Sequence, residues 1–173
     1  YIGQGNVLLL RKHLVDPPMS FRDGWEEAYY GHSIPDAFMH KDFIKRLSKD
    51  VQENIPSTEL GIKPSEENAG RGHIEKIKRQ LFLLSDVDVG NRKGKHRMGD
   101  DRNLLYFKRK GGGNTTRLAF LEGGSVAYTW WLRTAFATAS AVADTIEDGM
   151  FSGNAVVYPT YVRQLSICHQ KQK

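Results

Sequence analysis

Apolar positions along the chain fall into short runs at its start, middle and end, with one longer stretch of helical period between the first two. After Gly3 and Gly5, the continuous run Val7-Leu8-Leu9-Leu10 predicts a short buried strand, and Asp16-Pro17-Pro18 is expected to end it. From Ser33 to Ile55 the period changes. Phe38, Ile44, Leu47, Val51 and Ile55 recur at helical spacing, while Lys45, Arg46, Lys49, Asp50 and Glu53 hold the opposite face. Ser33, with Pro35 and Asp36 just inside, is a good start signal and Pro56 a good stop, so one long helix is expected here.

Residues 56–72 are polar and turn-rich, and read as a connection. Gln80 to Ser85 predicts a second buried strand, and the Gly- and charge-rich stretch from Asp86 to Asp101 a long surface loop. Leu104–Phe107 and Arg117–Phe120 read as a hairpin around Lys110-Gly111-Gly112-Gly113-Asn114. Ala127 to Leu132 is an aromatic strand, and Ala155–Val157 and Tyr161–Ile167 are closing strands. The expected fold class is α+β: short antiparallel strands, one major helix and long loops.

Composition limits the classes available. The chain has 173 residues, 39% hydrophobic and 26% charged, enough for one domain with its own core. No apolar run approaches the roughly 18 residues of a membrane-spanning helix, so no membrane insertion is expected. Opening at Tyr1 without a Met, the chain reads as one domain, the C-terminal part of a longer protein. A single cysteine, Cys168, excludes an internal disulfide framework. The net charge of +5 is local. Between Asn91 and Lys110 eight cations (Arg92, Lys93, Lys95, Arg97, Arg102, Lys108, Arg109, Lys110) meet two acids, about +6 in that segment and about −1 elsewhere. Residues 91–114 are thus a basic loop or hairpin insertion, able to track a polyanion, with Tyr106 and Phe107 as stacking partners.

Chemistry-bearing motifs are few. The six histidines stand singly, without metal-ligand spacing. Asp86-Val87-Asp88-Val89-Gly90 opens like a calcium loop, but Gly90 and Arg97 occupy positions where an EF-hand needs oxygen ligands. The glycine run 111–113 lacks the Lys of a phosphate-binding loop. Cys168 and His169 are sequence neighbours whose side chains diverge on a strand, which disfavours a nucleophile–base pair. No enzyme, metal or cofactor is expected.

Trp130-Trp131-Leu132-Arg133-Thr134, the polar stretch with Gly149 and the terminal Val162-Arg163 together resemble a bacterial and phage domain family that reads WWLRS, a variable polar segment with a glycine, and VRP. Gly5–Lys12, Asp36–Ile55, Leu81–Gly90 and Leu104–Phe107 agree with it in order; Gln164 replaces the usual Pro. The resemblance implies a C-type-lectin-like fold, of the branch that includes formylglycine-generating enzymes and the diversified receptor-binding (variable) proteins of diversity-generating retroelements. It implies paired N- and C-terminal strands and a displayed surface after the Trp strand. The lectin calcium motifs Glu-Pro-Asn and Trp-Asn-Asp are absent, so the metal is left out.

Within that frame Trp130 should anchor the core and Trp131, on the other face of the strand, should line the displayed surface. Arg133, Gly149 and Arg163 belong to the structural motif, and a buried Arg133 would need a carboxylate or carbonyls. Residues 134–161 contain no Lys or Arg and are rich in small polar and aromatic residues, the composition of an adaptable contact surface. The ligand-binding candidates are Trp131, Phe136, Thr138, Ser140, Asp144, Asn154, Tyr158, Thr160 and Tyr161. The leading expectation is a non-enzymatic adhesion or receptor-binding domain on a virion or bacterial surface, engaging a cell-surface protein or carbohydrate. Alternatives are polyanion or nucleic-acid binding through residues 92–110, and a decoration domain that homo-oligomerises within a larger assembly.

Overall fold

The computed structural model describes residues 6–25, 27–62, 74–90, 104, 106–107, 114–135 and 142–169, and of residues 6–8, 142, 144 and 165–169 the backbone only. It is an α+β fold dominated by strands. The first strand, β1 (Asn6–Leu10), pairs antiparallel with the last, β10 (Gln164–His169), from Asn6↔His169 to Leu10↔Leu165. Strand β5 (Leu81–Leu83) flanks β10 on its other side. The apolar runs at the two ends of the chain therefore meet, as expected.

A second sheet has the order β2-β9-β6-β7-β8, with β2 (Val15–Met19), β6 (Trp130–Ala135), β7 (Val142–Glu147), β8 (Met150–Ala155) and β9 (Thr160–Val162). All its ladders are antiparallel except β6–β9. The Arg133 amide donates to the Leu84 carbonyl at 2.8 Å and joins the two sheets. A separate hairpin of β3 (Thr58–Ile62) and β4 (Glu75–Arg79) lies within or beside the segment read as a polar connection. Its strands are short and half polar, and only Leu60 and Ile62 face the core fully.

Three local expectations are corrected. Asp16-Pro17-Pro18 does not end a strand but lies inside β2, which tolerates missing donors because it is the sheet edge, paired only at Val15↔Val162 and Met19↔Thr160. The single long helix is broken. Helix α1 (Ile34–Phe38) is capped by Ser33, whose Oγ accepts from the Asp36 amide at 3.2 Å. It continues through a π turn (Met39–Phe43) and a 3₁₀ turn (Ile44–Arg46), then Leu47 turns extended (ψ 151°). Ser48 caps a new helix, α2 (Lys49–Asn54). A polar Ser that satisfies a free amide group restarts the helix after the extended Leu47, and hydrophobic period alone does not register it. Finally, Phe120 bridges Ala127 instead of pairing with Leu104–Phe107, where Tyr106 and Phe107 are helical.

The core centres on β6, every residue of which is buried. Trp130 lies under the Arg163 guanidinium (5.4 Å) and donates from Nε1 to the Arg117 carbonyl at 3.1 Å. Trp131 packs edge-on to Phe21 (5.3 Å) and donates to the Met19 carbonyl at 2.9 Å. Both indoles are fully buried. Their side chains do point to opposite faces, but β6 is covered on both, so Trp131 is a second core anchor and not part of a displayed surface.

The acidic turn after β5 is also interior, not a surface loop: Asp86, Asp88 and Val89 are all buried. Ser85 and Asp88 exchange bonds, the Ser85 amide to Asp88 Oδ2 (3.0 Å) and the Asp88 amide to Ser85 Oγ (3.1 Å). The Asp86 amide donates to Thr134 Oγ1 at 3.0 Å. Arg133 Nη1 reaches Asp88 Oδ2 at 2.7 Å and the Leu83 carbonyl at 3.0 Å, the carboxylate and carbonyl that its burial requires. Arg163 is likewise interior, donating from Nε to the Arg11 carbonyl at 3.3 Å.

Candidate functional site

The segment after β2 is fixed to the connection between β8 and β9 by main-chain bonds. The amides of Phe21 and Arg22 both donate to the Val156 carbonyl (2.7 and 3.0 Å), and Ser20 Oγ donates to the Val157 carbonyl at 2.9 Å. Phe21 and Val156 are buried beneath. This clamp holds the Trp25 and Tyr158 rings edge to face, 6.2 Å apart at 81°. Trp25 is 68% exposed and Tyr158 55%, so two large rings that a core would normally absorb stand in water on a hydrogen-bonded base.

A second ring pair follows further along the chain. Tyr161 in β9 packs against Tyr128 with centroids 5.0 Å apart, and its amide donates to the Thr129 carbonyl at 3.3 Å. Partial burial, with smaller contributions from Asp16 and Tyr128, raises the Tyr161 hydroxyl above the ordinary phenol range, so it is a neutral donor at physiological pH. Arg22, Asp23, His32 and Ile34 line a cleft of about 350 Å³ beside the Trp25 segment, with Arg22 Nη1 donating to the His32 carbonyl at 2.7 Å. The surface thus offers π faces, a phenol donor, and charged groups at its margin.

Of the residues expected to bind ligand, Tyr158 is displayed and Tyr161 half-displayed. Thr160 is 3% exposed and accepts from Asn154 Nδ2 at 2.9 Å. That bond ties β8 to β9, so this pair holds the connection in shape, and Thr160 is corrected from a contact residue to a structural one. Phe136, Thr138, Ser140, the Asp144 side chain and the eight cations of 92–110 lie outside the described residues. Trp25 carries no sequence signal beyond its type; its exposure is seen only in the fold.

Gly149 has a definite role. The turn Asp148-Gly149 joins β7 to β8 with both residues at positive φ (48° and 77°), as a two-residue hairpin turn requires. A Cβ at Gly149 would sit 2.0 Å from the Asn114 carbonyl oxygen, and the Gly149 carbonyl accepts from Arg117 Nε at 2.6 Å. The Asp-Gly pair flanked by apolar residues was the available hairpin signal. Among the described residues no group of three or more His, Cys, Asp or Glu side chains is placed to hold a metal ion, and no helix is long and apolar enough to cross a membrane.

Residues 4–166 match the model of a family described as a domain of unknown function (DUF6273), and the chain belongs to that family. No curated protein and no solved structure matches it.

Proposed function

We propose that this DUF6273 domain is a non-enzymatic binding domain of C-type-lectin-like architecture. It engages a cell-surface protein or carbohydrate receptor through the surface built on Trp25, Tyr158 and Tyr161, from a virion or a bacterial surface. The pairing of β1 with β10 and the β7–β8 hairpin that follows the Trp strand support the architecture. The observation that carries the function is the exposed Trp25–Tyr158 pair on its hydrogen-bonded base. Tyr and Trp provide large contact area with few torsions to freeze, and rigid support removes much of the remaining ordering cost. Contacts of this kind rely little on long-range charge.

The test is binding of the purified domain to a glycan array and to whole bacterial cells, at about 50 and about 200 mM salt, beside the Trp25→Ala/Tyr158→Ala variant. Binding that persists at the higher salt and is lost in the variant supports the reading. Binding that collapses with salt and ignores the variant transfers the function to the basic segment 92–110. A mass that rises with concentration, without binding, favours an oligomerising decoration domain.

A further inference from the structure

A second cleft, of about 410 Å³ and lined by neither Trp25 nor Tyr158, lies between the end of β1, the start of β2, the 3₁₀ turn before α2 and the turn at 121–122. Two arginines, Arg11 and Arg46, line it. Arg11 is fixed through its backbone, donating to the Gln164 carbonyl (3.0 Å) and accepting from Arg163 Nε (3.3 Å). Its guanidinium lies 5.4 Å from the Phe43 ring centre, and that of Arg46 lies 6.0 Å from the same ring. The Nε of Arg11 is buried without a hydrogen-bond partner among the described residues.

Two carboxylates, Asp16 and Glu122, line the same cleft. None of these four charges forms an ion pair within 4.0 Å with another described residue. Between them the wall is apolar, with Leu14 and Phe43 buried and Leu121 half-buried.

This charge arrangement selects among ligands. A simple anion would meet Asp16 and Glu122, and a simple cation would meet Arg11 and Arg46. An uncharged apolar ligand would strip water from four charges and return nothing. A zwitterion satisfies both signs, its carboxylate on the guanidinium forks and its ammonium on the carboxylates, with an apolar side chain against the wall. The volume is at the lower end of small-ligand sites, roughly 300–1,000 Å³. We infer that this cleft binds a zwitterionic ligand of amino-acid or dipeptide size with apolar side chains.

The experiment titrates the ¹⁵N-labelled domain with the dipeptide Leu-Leu and with its N-acetylated, C-amidated form. The free dipeptide is expected to shift the amides of Leu14–Asp16 and Leu121–Glu122, and capping should weaken binding at least about tenfold. Arg46→Gln and Glu122→Gln, both at exposed positions, should each weaken it about tenfold with an unchanged melting temperature, and Trp25→Ala should leave it unaltered. Equal binding of the capped peptide, no shifts at about 10 mM Leu-Leu, indifference to Arg46→Gln and Glu122→Gln, or loss in Trp25→Ala would each overturn the assignment.

Discussion

Arg133 and Asp88 stand 45 residues apart in sequence and 2.7 Å apart in space, both without solvent contact. The pair couples the end of β5 to the central strand β6, where the Arg133 amide also bonds Leu84. Taking two charges out of water is expensive, and the pair is sustained because Asp88 also accepts from the Ser85 amide and Arg133 also donates to Leu83. Removing one partner leaves the other charge buried. Arg133→Met and Asp88→Asn are each expected to destabilise the domain by about 3–5 kcal/mol in urea unfolding. The double variant Arg133→Met/Asp88→Asn should lose clearly less than the sum, and additive losses would contradict the coupling.

Gly149→Ala meets two obstacles, a positive φ and a backbone oxygen 2.0 Å from the new Cβ. Backbone strain alone is worth about 1–3 kcal/mol, so a larger loss is expected once Asn114 must also move. Gly123 has a φ of +73° with open space around it, and Gly123→Ala is expected to cost less than Gly149→Ala. Thermal melts of the two variants make the comparison.

Tyr30 is fully buried, its hydroxyl accepting from the Leu83 amide at 3.1 Å, and burial drives its ionisation well above the usual phenol range, with Asp36 adding to the shift. The folded chain therefore holds a proton that the unfolded chain releases near pH 10. Stability from this group is complete below about pH 10 and declines as the pH rises beyond it. Melts between about pH 8 and about pH 12 should show that decline, reduced in Tyr30→Phe. At neutral pH the same variant should be less stable by about 1–3 kcal/mol, because the Leu83 amide loses its acceptor.

On the surface, Trp25→Ala and Tyr158→Ala should change stability by no more than about 0.5 kcal/mol while abolishing receptor capture. A large stability loss would place the rings in the fold and not in recognition. Denaturation beside a cell-binding assay separates the two.

Much of this architecture was readable from residue order. The apolar runs at Val7–Leu10 and Leu81–Leu83 and the Ser33 cap with Pro35 behind it all mark real elements, though only Leu81–Leu83 is buried as expected, since Leu9 is 45% exposed and Leu10 half-buried on β1. What could not be read depended on neighbours distant in sequence. Trp130 and Trp131 alternate correctly, yet period-2 alternation cannot say that a strand is covered on both faces. Thr160 looks like a contact residue until Asn154 is seen to bond it. Trp25 is known as a surface residue only from the fold, and the charges of the second cleft come from three separate parts of the chain, Arg11 with Asp16, Arg46, and Glu122. The hairpin turn Asp148-Gly149 is marked locally by its Asp-Gly pair.

The antiparallel match of Asn6 with His169 has a mechanical side. Asn6 and His169 lie opposite each other at one end of the β1–β10 ladder. A load applied between them opens the ladder one residue pair at a time, like a zipper, and does not strain all its hydrogen bonds together as a shearing pull would. Held at one end only, the domain carries no such load on this seam. Held at both, it takes the load on this ladder, while the Trp130–Trp131 core lies on a different sheet.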